Sequence, residues 1–182
     1  MKSSFAALVL SALAFSVHAL PSSPYSDSAP PSDTVPLYRA YSPSATDHFY
    51  TADKAEHDHA VTSLGYSNEG TAAQVFHAKV AGAVPLYRLY SSGGTDHFYT
   101  TSTSERSNAM SKLGYAGEGV AAYVYPSAKC GSVPLYRMYS NSAVDHFYTT
   151  NVNEKNNAVG SLGYTYEGVA GYVNPVKGKN CH

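Results

Sequence analysis

Aspartate and histidine stand side by side three times in this chain, as Asp47-His48, Asp96-His97 and Asp145-His146. A carboxylate beside an imidazole can orient a general base, and three imidazoles brought to one point can ligate zinc. Phe-Tyr-Thr follows each pair, so Tyr50, Tyr99 and Tyr148 accompany it, and an arginine precedes each one (Arg39, Arg88 and Arg137). Adjacent residues of an extended strand point to opposite faces, however, so the two side chains of one pair do not meet. An active site is a single place, whereas this pair occurs three times in near-identical surroundings. Ser42, Ser91 and Ser140 also recur, but none stands out as an independent nucleophile. A hydrolase is therefore the third reading and the chain is expected not to be an enzyme. For the histidines, a hydrogen bond that locks the adjoining loop is favoured over metal ligation; no metal and no cofactor are expected.

The pairs belong to a longer repeat. Units begin at Val35, Val84 and Val133, 49 residues apart, and span 35–83, 84–132 and 133–181 without insertion or deletion. Twenty-one of the 49 positions are identical in all three. A period of this length marks a repeat architecture, and the absence of gaps implies that even the loops have fixed geometry.

Each unit opens with V-P-L-Y-R-x-Y-S, as in Val84 to Ser91, whose alternation reads as a strand with Leu86, Arg88 and Tyr90 on one face. A four-residue turn leads into D-H-F-Y-T, making a hairpin. A helix follows: Asp53, Ser102 and Asn151 are good N-caps, and Glu56, Glu105 and Glu154 occupy the third helical position, a capping-box signature or its near relative. Ala109, Met110 and Leu113 supply its inward stripe. Gly65, Gly114 and Gly163 end it, with Tyr66, Tyr115 and Tyr164 able to fold back. E-G-x-A-x-x-V then reads as a last strand. Leu37, Phe49, Leu64, Val75 and their equivalents are assigned to the core.

Three units with no distinct capping repeat suggest closure about a pseudo-threefold axis. The expected fold is mainly β with short helices, β-trefoil-like first and a three-bladed, propeller-like pinwheel second. In an exported protein Cys130 and Cys181 are expected to pair. A disulfide here would close a loop of about 50 residues and contribute roughly 4 kcal/mol in the chain-entropy model.

Residues 1–19 read as a signal peptide, with Lys2, an apolar run from Phe5 to Val17, and Val17-His18-Ala19 as a cleavage site. Residues 20–34, with four Pro and five Ser, read as a flexible lead-in. That leaves 35–182 as one domain, secreted to the extracellular space. A net charge of −1 without any basic run argues against nucleic acid and against anionic membrane surfaces. No N-x-S/T sequon is present, and nothing in the sequence fixes an oligomeric state. Seventeen tyrosines without a tryptophan suit both a core and a polar recognition surface.

V-P-L-Y-R-x-Y, D-H-F-Y-T and G-Y-x-x-E-G-x-A together resemble a repeat family of unknown function, found in secreted fungal proteins and in bacterial surface or wall-associated proteins. The resemblance covers residues 35 to about 175. Members look like accessory modules beside wall-acting or secreted enzymes, which implies carbohydrate binding; the resemblance brings no catalytic residues. Without tryptophan, the Q-x-W signature of ricin-type trefoils is missing.

The leading expectation is thus a secreted, lectin-like module that binds glycans or cell-wall polysaccharide through up to three equivalent sites. Its candidate contacts are Asp47, His48, Tyr50 and Arg39; Asp96, His97, Tyr99, Arg88 and Tyr123; and Asp145, His146, Tyr148, Arg137 and Tyr172. Arg39, Arg88 and Arg137 can instead pair with Glu69, Glu118 and Glu167 and stitch units together, which is the favoured reading of those side chains. Gln74 stands where the others have Tyr123 and Tyr172, and the hairpin loops 43–46, 92–95 and 141–144 differ, so the second and third units are expected to bind better. An interaction protein, such as a protease inhibitor or effector, is the second reading.

Overall fold

The computed structural model describes residues 34–129 and 131–176. The expected signal peptide, nearly all of the lead-in, and both Cys130 and Cys181 lie outside the described residues. Each unit contains three strands and a helix: β1 (Thr34–Ser42), β2 (Asp47–Thr51), α1 (Lys54–Ser63) and β3 (Ser67–Phe76) in the first. The second holds β4 (Val84–Ser91), β5 (Asp96–Thr100), α2 (Thr103–Lys112) and β6 (Ala116–Val124), and the third β7 (Val133–Ser140), β8 (Asp145–Thr149), α3 (Val152–Ser161) and β9 (Thr165–Val173). The domain is mainly β with three short helices. The strand, strand, helix, strand order of every unit is the one expected from the sequence.

The opening strand of each unit lies between its other two, all antiparallel, giving a six-stranded sheet in the order β2-β1-β3-β6-β4-β5 and a three-stranded sheet β8-β7-β9. The last strands also meet one another. Phe76 pairs with Tyr123, Tyr125 with Tyr172, and Asn174 with Gln74. One repeat position of each unit therefore bridges to one position of the next, and the third unit returns to the first.

Alternation along the central strands works as the sequence predicts, with both faces covered. Leu37, Leu86 and Leu135 enter one shared core with Tyr50, Tyr99 and Tyr148 and with Val75, Val124 and Val173. On the other face Ala40, Leu89 and Met138 pack under a helix, against Phe49, Phe98 and Phe147 and against Ala60, Ala109 and Ala158. The helices contribute less than expected. Ala109 is buried, but Met110 is exposed, and Leu64, Leu113 and Leu162 are 58%, 60% and 61% exposed. These leucines are not core. Each sits at the C-cap, its N–H bonded to the carbonyl of Ala60, Ala109 or Ala158, and the chain reversal at the following glycine turns its side chain outward. That glycine has positive φ (80° at Gly65), and Tyr66 N–H returns to the same Ala60 carbonyl.

The N-caps form as predicted, through a modified box. Asp53 accepts from the N–H groups of Ala55 and Glu56, but Glu56 does not reach back to the Asp53 N–H. Thr51 Oγ1 accepts that N–H at 3.0 Å and donates to Glu56. Thr100 and Glu105, and Thr149 and Glu154, repeat the relay. The capping glutamate is left with its carboxylate facing the next unit.

Candidate binding grooves between the units

The Asp-His pairs act across units. His97 Nδ1 lies 2.7 Å from Asp47 Oδ2, and the His97 N–H donates to Asp47 Oδ1 at 2.9 Å. His146 makes the same contacts with Asp96, and His48 with Asp145. Within one pair the side chains diverge, as strand geometry requires, and each finds its partner in the neighbouring unit. The favoured expectation that each His bonds the loop beside it is thereby corrected. A second oxygen contact comes from Tyr66, Tyr115 and Tyr164, whose hydroxyls donate to Asp47, Asp96 and Asp145. Burial raises these phenols well above their usual range, and the hydrogen bond to the carboxylate adds to it.

The three carboxylates are 0% exposed, and one oxygen of each lies within 4.8 Å of the others. Carboxylates rather than imidazoles thus meet at the centre, and every one of them already accepts three hydrogen bonds from protein groups. Each imidazole is held between rings, His97 between Tyr90 at 4.7 Å and Phe49 at 5.0 Å. Its Nε2 faces Glu118 Oε2 at 3.7 Å.

The tyrosines form a second ring. Tyr99 hydroxyl donates to the Tyr50 carbonyl and accepts the Tyr50 N–H; Tyr148 serves Tyr99 in the same way, and Tyr50 serves Tyr148. All three are fully buried, so neither they nor the aspartates offer a surface to an outside ligand, and the structure transfers both sets from contact candidates to scaffold. Tyr123 and Tyr172 are elsewhere, packed at the unit junctions with Phe76 and Tyr125.

The arginines complete the third ring, as the stitching reading expects but through a different carboxylate. Arg88 forms a bidentate pair with Glu56 of the preceding unit at 2.9 and 2.8 Å. Its Nε lies 2.8 Å from Glu118 of its own unit, an ion-pair contact without hydrogen-bond alignment. Arg137 relates likewise to Glu105 and Glu167, and Arg39 to Glu154 and Glu69. Each guanidinium also rests over a phenylalanine of the preceding unit, Arg88 over Phe49 at 5.2 Å. The Glu118 position depends on Gly119, which pairs with Arg88 at a strand irregularity with φ of 96°. A β-bulge re-aims the side chains beside it, and only glycine takes that φ without strain. Burial opposes the arginine charge, and the glutamates outweigh it, so Arg88 and Arg137 stay firmly protonated.

These ion pairs floor a groove at each junction where a cavity is described. Between the first and second units, about 220 Å³ is lined by Phe49, Glu56, His59, Ala60, Leu64, Tyr66, Arg88, His97 and Glu118. Between the second and third, the equivalent residues line about 610 Å³, enlarged by Ser91, Gly93, Gly94, Tyr139 and Val144. A Val144 φ of 54° is costly for a β-branched residue, and its γ-carbon packs against Gly94 of the neighbouring hairpin loop.

Of the sequence-predicted contacts, the grooves bring together Arg88 with His97 and Arg137 with His146. Sequence reasoning missed Glu56, Glu105, Leu64, Leu113 and Asn108. One signal for the leucines was available: an identical residue one step before each helix-ending glycine, beyond the span needed for packing.

A family model, the domain of unknown function DUF5648, matches residues 36–174. The chain belongs to that family. Comparison with curated proteins and with solved structures found no match.

Proposed function

We propose that this member of the DUF5648 family is a secreted, non-catalytic carbohydrate-binding domain whose sites are the grooves between repeat units. The reading extends to the architecture: three blades about a pseudo-threefold axis, a pinwheel rather than a trefoil. The cyclic Asp–His, Tyr–Tyr and Arg–Glu contacts support it.

The observation that carries the binding reading is the leucine at the groove lip. Leu64, Leu113 and Leu162 are identical in all units yet mostly exposed, and the first two line grooves beside aromatic rings and half-exposed carboxylates. Sugar recognition needs an apolar surface for C–H faces and fixed polar groups for hydroxyls. More than one such site on a rigid body would gain avidity on a polymer. The non-catalytic part rests on repetition: the same Asp–His contact stands at all three junctions, with each Nε2 facing a glutamate in the same way, so no one of them is set apart as an active site.

The test is retention of the full chain on immobilised wall polysaccharides and a glycan array, beside a variant with Leu64, Leu113 and Leu162 all changed to Ser. Retention of the parent and loss in the variant is the expected result. A parent protein that no polysaccharide or glycan retains would overturn the proposal.

A further inference from the structure

Resting on the carbohydrate reading, we infer that the groove between the second and third units is a stronger site than the groove between the first and second, and that it takes a neutral or amino sugar and rejects an acidic one.

Size separates the two grooves. At about 610 Å³ the second falls within the range of small-molecule sites, roughly 300–1,000 Å³, whereas the first, at about 220 Å³, falls below it. Two substitutions within the repeat account for the difference. Asn108 occupies the helix position that His59 fills in the first groove, and a shorter side chain leaves more of the cleft open. At the mouth, Gly93 replaces Ser44, while the room left by Gly94 is filled by the Val144 side chain. No atom lies within 4 Å of where a Gly93 Cβ would stand, so the mouth is open there.

Charge sets the ligand class. The groove holds two carboxylates, Glu105 and Glu167, against the single guanidinium of Arg137, whose two terminal nitrogens donate to Glu105 and whose buried Nε makes an ion-pair contact with Glu167. His146 Nδ1 is turned away from the groove, 2.7 Å from Asp96 Oδ2 behind it. Hence the groove offers acceptor lone pairs and a net negative field, while its one guanidinium is already matched by the two carboxylates. Hydroxyl and ammonium groups find acceptors there, and a carboxylate or sulfate meets two glutamates without a free cation. The lip of Leu113 and the Phe98 and Tyr115 rings supply the apolar wall.

The experiment is calorimetric and NMR titration of the parent chain with matched short oligosaccharides of glucose, glucosamine and glucuronic acid. The inference expects binding of the first two, with amide shifts greatest at Gly93, Asn108 and Leu113 and smaller at His59 and Leu64. Asn108→His, which installs the first groove's residue, is expected to weaken binding about tenfold, equal to about 1.4 kcal/mol. Gly93→Phe is expected to do the same from the mouth. Stronger binding of the glucuronic acid series overturns the charge argument. Equal shifts in both grooves, or full affinity in both variants, overturns the site assignment while leaving carbohydrate binding intact. Absence of binding by any of the three sugars, with no retention on polysaccharide, removes the underlying reading as well.

Discussion

Tyr99→Phe removes one oxygen from the centre of the molecule, and the structure fixes what that oxygen does. It accepts the Tyr50 N–H at 2.8 Å and donates to the Tyr50 carbonyl at 2.7 Å, both in a fully buried place. The ring stays, and with it the edge-to-face contacts to Tyr50 and Tyr148 at 5.5 and 5.4 Å, so the change isolates the two hydrogen bonds. A buried backbone donor and acceptor are then both unpaired, at about 1–3 kcal/mol each. A total of about 3–4 kcal/mol is expected, a large share of the roughly 5–15 kcal/mol that holds a domain of this kind. The melting temperature should fall by roughly 8–15 °C. Urea unfolding followed by tyrosine fluorescence measures it, with an unchanged m value as the check that the unfolded state is the same. Tyr50→Phe and Tyr148→Phe should cost the same within error, and the triple variant should not fold, since three such losses match the whole stability. A single-variant loss below about 1 kcal/mol would refute the claim that each hydroxyl closes the ring.

Three further outcomes follow from the same contacts. In Glu56 and Glu154 burial raises the carboxyl pKa, but the hydrogen bonds from Arg and Thr outweigh it; in Glu105 the Arg137 bond leads, and all three end below the usual range. A depressed folded value contributes stability that is present above the unfolded pKa of about 4.3 and lost as pH falls through the folded one, so urea midpoints should drop below about pH 4, less steeply in Glu105→Gln. Tyr50, Tyr99, Tyr148, Tyr66, Tyr115 and Tyr164 are all raised by burial; their contribution is full below the unfolded pKa of about 10 and declines above it, so their phenolate absorbance should emerge together with unfolding in an alkaline titration. Leu113→Ser should leave stability within about 0.5 kcal/mol, as exposed positions do, while weakening retention on polysaccharide.

The local features were legible because their causes are local. Asp53, Ser102 and Asn151 form N-caps, the glycines at 65, 114 and 163 reverse the chain, and the hairpins close where turn residues separate two aromatic runs. Strand alternation also correctly foretold that Asp96 and His97 diverge. What the sequence did not display is where the diverging groups go. Asp47 meets His97 fifty residues away, a contact created by the angle between units and by no spacing within one. Glu105 illustrates the same limit from the other side. Its position matches a capping box, and helix rules assign it to the backbone, yet a threonine takes over that duty and frees the carboxylate for Arg137. Leu113 was misassigned because the helical period marks it as inward, while the C-terminal reversal turns it out.

The contacts that pass from each unit to the next explain why so many positions are the same. Asp96 faces forward to His146 and its sequence neighbour His97 faces back to Asp47, so altering either residue in one unit breaks a junction shared with another. The same reasoning covers the tyrosines, the arginines and both glutamates, each of which bridges units or holds a residue that does. It does not cover Leu64, Leu113 and Leu162, which bridge nothing and lie mostly in solvent. Exposed apolar side chains scattered singly need no explanation, but three at one repeat position, two of them on the lip of a groove, do. The scaffold therefore accounts for the charged and phenolic residues that first suggested chemistry, and the proposed recognition rests on the leucines and on the loops and helix positions that differ between units.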